Sequence, residues 1–292
     1  MGPSFISSPA RGYIFIMIDK TTLIRRFSFA LYFAIAFVTF LVVLFPFDRI
    51  KTRLESEVRT GTQMELNVAR ISPRFLNRFV LFDVVLSDSA GRVLFESPAV
   101  HTHVSLFNFL RGIVAVTMKA HAYGGELSVK TEQGTKRRFF AVDANSLDIA
   151  SYSLLKNLGL KVSGNLGGTF EMNGDAGKVR FLLKGLATRE LKIKGFPVPD
   201  LDFDQGWIEG DVKGDRFTIR KLELDGKELK VRISGDLVMR ERGTINLAVK
   251  FKPSERLATE QAGLLSFLKN KDSDGYYLVT LAGTVAEPFP RF

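Results

Sequence analysis

Apolar and polar positions alternate with a period of two along most of this chain. In the second half the alternation is unbroken: Leu229, Val231, Ile233, Gly235, Leu237 and Met239 fall on one parity, then Ile245, Leu247, Val249 and Phe251. Earlier, Val162, Gly164, Leu166, Gly168, Phe170 and Met172 share a face, and Val179, Phe181 and Leu183 do so after the Gly174–Gly177 turn. Successive side chains of a strand point to opposite faces, so each run predicts a strand with one apolar side. Turn signals recur roughly every 8–12 residues, as in antiparallel strands joined by hairpins. Leu191 with Ile193, Trp207 to Val212, Phe217 to Leu224 and Tyr276 to Val285 complete this half, where Pro288 and Pro290 are expected to stop extension of the last strand.

The first half follows the same period less cleanly. Leu66, Val68 and Ile71 predict a strand, as do Phe79 to Leu86, Ala99 to Leu106, Ile113 to Tyr123, Leu127 with Val129, and Phe139 to Val142. Gly91 marks one turn, Phe107 to Gly112 a turn or helical stub, and Gly124-Gly125 a hairpin closure. Three segments carry a helical period instead. Ile50, Leu54 and Val58 put an apolar stripe on a helix over 48–60, with Asp48 as N-cap and Gly61 just past its end. That stripe fits either a membrane surface or the first strands. Asp148 caps a second helix that reaches Leu158 and stops at Gly159, and Ser254 a third that ends near Lys271.

One run breaks both patterns. Phe27 to Phe45 contains no charged residue; at ~1.5 Å per residue such a helix is about as long as the ~30 Å hydrocarbon core of a bilayer. Phe27, Leu31, Phe37, Phe40, Leu44 and Phe45 are the expected anchor positions. Arg25 and Arg26 precede the run and favour a cytoplasmic N-terminus; Arg49, Lys51 and Arg53 beyond it dilute that bias. Leu44-Phe45-Pro46-Phe47 is too bulky for a signal-peptidase site. Met17 is an alternative start. The chain thus divides into a cytoplasmic tail (1–26), a transmembrane helix (27–47), a juxtamembrane helix (48–60) and an antiparallel β domain (61–292) on the far side of the membrane.

A net charge of +10 admits nucleic acid, anionic lipid or an acidic partner, but the Lys and Arg residues are spread along strands, as on a solvated sheet face. The chain has no cysteine, which removes disulfides, thiolate metal sites and a cysteine nucleophile. With 26 Phe and 1 Trp, aromatic bulk is expected to fill an apolar face. His101 and His103 would share a strand face without a third ligand. Asp200, Asp202, Asp204 and Asp211 copy calcium-loop spacing, yet Gln205 stands where that loop needs glycine. Lys136, Arg137 and Arg138 beside Phe139 and Phe140 suit phospholipid headgroups or water better than nucleic acid. Asp272 to Gly275 reads as a turn. No nucleophile elbow, phosphate loop, dinucleotide fingerprint or zinc-protease motif occurs. No catalytic residue, metal ligand or cofactor is expected, and no enzyme.

A series of segments resembles the type II secretion system protein N family: Leu44-Phe45-Pro46-Phe47 with the amphipathic helix and Gly61, Arg78 to Ser87, Val104-Ser105-Leu106 with Leu110-Arg111-Gly112, and Tyr123-Gly124-Gly125. Phe203-Asp204-Gln205-Gly206, Leu222 to Leu237, and Leu281-Ala282-Gly283-Thr284 with Pro288 continue it, from about Phe45 to the end. The order and spacing carry the resemblance, since each segment alone is weak. It implies a single-pass protein of the bacterial inner membrane with a periplasmic β domain, an accessory subunit that contacts other secretion-system subunits. That family is similar to AsmA-like proteins, which implies an alternative: a curled sheet whose apolar groove carries phospholipid acyl chains. Phe170, Phe181, Val231, Ile233, Leu247 and Val249 are the expected groove positions. The glycines recurring on the same face either tighten the sheet's curvature or leave a trough. The expected fold is therefore mainly β: an elongated, twisted antiparallel sheet behind a transmembrane helix, with a few short helices.

Overall fold

The structure is a computed structural model that describes residues 28–29, 31–33, 36, 47–75, 77–135, 137–157, 160–190, 192–193, 196–197, 199–240, 243–266, 268, 271–284 and 288–291. Two compact units meet in sequence at Pro46/Phe47. In the first, Leu31 is the one anchor position described; it is helical and exposed. The 1–26 tail, Phe27, Phe37, Phe40, Leu44 and Phe45 lie outside the described residues. Among the described residues no helix is long and apolar enough to cross a membrane.

The second unit is built on one antiparallel sheet of 14 strands that does not close on itself. Its first strands are β1 (Glu65–Phe75), β2 (Arg78–Ser87), β3 (Val93–Val104), β4 (Val114–Ala122), β5 (Gly125–Gln133), β6 (Arg138–Asp148), β7 (Lys161–Asn173) and β8 (Ala176–Arg189). A small separate hairpin, β9 (Lys192–Ile193) and β10 (Phe196–Pro197), leads into β11 (Leu201–Lys213). The sheet continues with β12 (Arg216–Gly226), β13 (Leu229–Val238), β14 (Thr244–Pro253), β15 (Tyr277–Thr284) and β16 (Pro288–Arg291). Each strand pairs with the next in the chain, β11 following β8. Local alternation alone therefore nearly specifies the topology.

Short helices decorate this sheet. Helix α1 (Phe47–Thr62) lies along β1, and Leu54 packs on a buried cluster of Val68, Leu81, Val84, Val100 and Ala120. Helix α2 (Leu106–Leu110) bridges β3 and β4. After β6, Asp148 caps a 3₁₀ turn, Ile149–Ser151, which leads into α3 (Ser153–Asn157). Helix α4 (Glu255–Glu260) starts from Ser254, whose hydroxyl accepts the Leu257 N–H at 3.2 Å, and α5 (Ala262–Leu265) follows. Leu257 closes a second cluster over Leu201 and Phe203.

Several local expectations change. Helix α1 runs through Gly61; the left-handed residue after it is Gln63, whose N–H bonds to the Arg59 carbonyl at 3.1 Å. The β4–β5 turn is centred on Tyr123-Gly124, both at positive φ, and Gly125 already belongs to β5. β6 extends well past Val142, to Asp148. The single helix expected after Ser254 breaks at Gln261. Pro288 and Pro290 belong to a strand of their own, β16, which pairs antiparallel with β15; Val285 lies outside the described residues. Proline is tolerated there because β16 is an edge strand, where an outward N–H has no partner to lose.

Candidate functional site

Strand register lines the apolar positions up into rows across the sheet. Ile71 faces Leu81, which faces Val100, then Ala120, Leu127 and Ala144. The same row continues through Gly168, Phe181, Ile208, Leu222, Ile233, Val249 and Val279. No polar side chain interrupts it from β1 to β15. At a strand spacing of ~4.8 Å the row is roughly 55–60 Å long.

Five of the six expected groove residues lie in this row or the next. Phe181, Ile233 and Val249 are in it; Phe170 and Leu247 share the adjacent row through Val179, Gly210, Ile219 and Gly235. Val231 sits in another, between Leu224 and Phe251. All six are half-buried. Val231 packs against the cluster closed by Leu257, so a helix covers its neighbourhood. Among the described residues, the buried clusters on this face lie under Leu54 and under Leu257, with the long middle of the row between them.

The recurring glycines lower this face. A Cβ on Gly168 would come within 2.8 Å of the Phe181 ring, one on Gly177 within 2.7 Å of Met172, and one on Gly206 within 2.6 Å of Leu224. The Phe217 ring lies over Gly210 in the same manner. Side chains thus lie down across neighbouring glycines instead of standing up from the sheet. Phe140 and Phe170 meet edge to face at 6.0 Å, and Phe251 stacks on Tyr277 at 5.7 Å. The result is a broad, shallow apolar surface. Moving a guest methylene from water onto such a surface gains up to about 0.8 kcal/mol.

Both sheet edges are guarded. On β1 the outward N–H of Val68 donates to Glu55 Oε1 of α1 at 3.2 Å, and the Ala69 carbonyl accepts from Lys51 Nζ at 3.5 Å. On β16, Pro288 and Pro290 carry no N–H. Strand addition at an edge needs free backbone groups, and these devices remove several of them.

An opening lies inside the sheet instead. Pairing of β3 with β4 stops at Val100↔Ala120, so Val93 to Ala99 turn away from β4. Pro98 cannot donate to a ladder. Side chains span the split: the Glu96 N–H donates to the Tyr123 hydroxyl at 3.0 Å, and the Ser97 hydroxyl to the His121 carbonyl at 3.0 Å. A cleft of about 890 Å³ remains, lined by Asp83, Glu96, Ser97, His121, Tyr123 and Ser151 among others. Burial raises the Tyr123 phenol above its ordinary value, and burial alone does so for Tyr152, whose ring meets Tyr123 edge to face at 5.4 Å.

The remaining candidates take structural roles. The Asn77 side-chain amide donates to His103 Nε2 at 3.0 Å; His101 is exposed on the same polar face. Asp200 and Asp202 engage Arg189, and Asp211 pairs with Arg220 at 2.8 Å, while Leu201 and Phe203 between the aspartates are buried. Arg137 pairs with Glu132 at 2.9 Å; Lys136 lies outside the described residues. Asp272 holds its own turn by accepting the N–H groups of Tyr276 and Asp274, and the first of these bonds is the main cause of its lowered carboxyl pKa. Among the described residues no three His, Asp or Glu side chains stand together as a metal site.

Architecture therefore defines the class: an open antiparallel meander with one continuous, incompletely covered apolar face. No known protein family, curated protein or solved structure matches the chain. The likeness to the secretion-system family rests on the sequence segments alone.

Proposed function

We propose that this protein handles lipid at a bacterial inner membrane: the N-terminal apolar run anchors it, and the β domain shields acyl chains on its apolar face in the periplasm. The observation that carries this reading is the row from Ile71 to Val279, which is buried at Leu81, Val100, Ala120 and Ala144 and stands half-buried from Gly168 through Val279. Its length exceeds several-fold the ~15 Å depth of one leaflet's acyl chains. A soluble domain rarely leaves so large an apolar surface without a use. Bulges between Ala144 and Leu147, Ser163 and Asn165, and Ile219 and Leu222 supply the bends that would curl the sheet around a guest.

In-cell photo-crosslinking tests the reading. A probe replacing Val249 is expected to capture phospholipid, and one replacing Asn246, which is exposed and on the opposite parity of β14, is not. Equal capture at both positions, or none at Val249, overturns it.

A second reading, an accessory subunit of the type II secretion apparatus acting through protein contacts, draws on the resemblance and on the split between β3 and β4. The guarded edges disfavour docking by strand addition at either end of the sheet. A protein adduct from a probe at Glu96, with no lipid at Val249, favours this second reading.

A further inference from the structure

Helix α2 is a complete, capped turn that buries none of its residues. Ser105 caps its start, accepting the Asn108 N–H, and Gly112, at φ +72°, takes the left-handed position after its end. Yet Leu106 is 49% exposed, Phe107 64%, Phe109 62% and Leu110 84%. Single exposed apolar side chains are ordinary; four within five residues on a well-formed turn are not. The Arg111 guanidinium lies over the Phe107 ring, 4.4 Å from its centre.

The surroundings of this knob are basic. Asn77 in the β1–β2 turn donates its side-chain amide to the Val104 carbonyl at 3.1 Å, which brings exposed Arg74 and Arg78 alongside. The β5–β6 turn abuts Ile113, since a Cβ on Gly134 would lie 3.2 Å from it, and brings exposed Arg138. Exposed aromatic and aliphatic side chains, with Arg111 over one of the rings and exposed arginines in the neighbouring turns at the same end of the sheet, match a bilayer interface, with acyl chains below and phosphates above.

The direction of α1 gives the same answer. Lys51 reaches Ala69, Glu55 reaches Val68 and Arg59 reaches Glu65, so α1 runs antiparallel to β1. Its start at Phe47 therefore points toward the Phe75 end of β1, the end that carries the β1–β2 turn and α2. The chain enters the domain at the end where the knob protrudes.

We infer that the α2 knob inserts into the surface of an anionic lipid bilayer, with Arg111, Arg74, Arg78 and Arg138 holding headgroup phosphates. For its geometry the inference rests on reading the N-terminal run as a membrane segment; it does not require acyl chains on the sheet.

The test uses the full chain in vesicles of phosphatidylcholine and phosphatidylglycerol. Because the chain lacks cysteine, a spin label on Asn108→Cys is unique. A label on Ser89→Cys, in the β2–β3 turn at the opposite end, is the control. At Asn108 the label is expected to lose collisions with an aqueous nickel chelate and to gain them with oxygen; at Ser89 it stays open to nickel. Replacing Phe109 and Leu110 together by serine shifts the Asn108 label toward water by about tenfold or more. Nickel access at Asn108 equal to that at Ser89 overturns the proposal. So does loss of access to both reagents, which means that protein covers the knob. The unaltered apolar residues decide the matter even if the serine variant fails to fold. Lipid crosslinking at Val249 is read separately, so failure of the knob and failure of the lipid-handling reading are distinguishable.

Discussion

Gly168 adopts φ +148°, a backbone conformation that side-chain-bearing residues rarely adopt, and the Phe181 ring fills the space above it. Gly168→Ala therefore meets strain and a collision at once and is expected to cost about 1–3 kcal/mol, read as a lower midpoint in urea. Thr188 shows the opposite imbalance. Among the described residues its hydroxyl is buried without a hydrogen-bond partner, on a row otherwise made of Val162 and Leu201. Thr188→Val keeps the shape and removes the unpaired group, so stability is expected to rise by about 1 kcal/mol. At Asp272 the folded carboxyl titrates below its ordinary value because the Tyr276 N–H bonds to the charged form. Its contribution is thus present above the unfolded pKa of ~3.9 and lost as pH falls through the lower folded value. Asp272→Asn is expected to be less stable than the natural chain at pH 6 and to converge with it only once the pH has fallen below the lowered folded value. A gap that persists in acid would mean that the turn depends on shape and not on charge.

Whether an element was legible in the sequence depended on how local its cause is. The runs Leu229 to Met239 and Ile245 to Phe251 became β13 and β14 almost residue for residue, because alternation and turns are neighbour effects. The start of β3 at Val93, the extension of β6 to Asp148 and the strand at Pro288 escaped, because a partner strand supplies the reason for each. The knob was visible only as a stub: Leu-Phe-Asn-Phe-Leu looks equally apt for a core until its neighbours are known. The split beside Tyr123 had no signal beyond Pro98. Covering elements make sharper predictions. Leu257 is buried over Leu201 and Phe203, so Leu257→Ala is expected to cost about 2–3 kcal/mol and to bare Val231, raising lipid capture by a probe there. Glu55→Ala unpairs the Val68 N–H and reopens the β1 edge. It is expected to cost about 1–2 kcal/mol and to promote self-association, seen as concentration-dependent sedimentation.

At the scale of the whole sheet, one face is apolar, one is charged, and the two edges are guarded by different means. The charged face is held in part by cross-strand pairs such as Arg220 with Asp211 and Arg232 with Glu223. Each is surface-exposed and worth little alone, so the register of the apolar rows is the stronger constraint: a one-residue slip in any strand would turn its apolar set to water. The nearest-neighbour order of the strands has a consequence for size. Removing or duplicating an internal hairpin such as β12–β13 would change the sheet's span by roughly 10 Å and leave every other pairing, the apolar side and the knob-bearing end as they are. Such a sheet behaves as a ruler graduated in hairpins, and its span across the strands can be set by copying or deleting whole units without redesigning any of them.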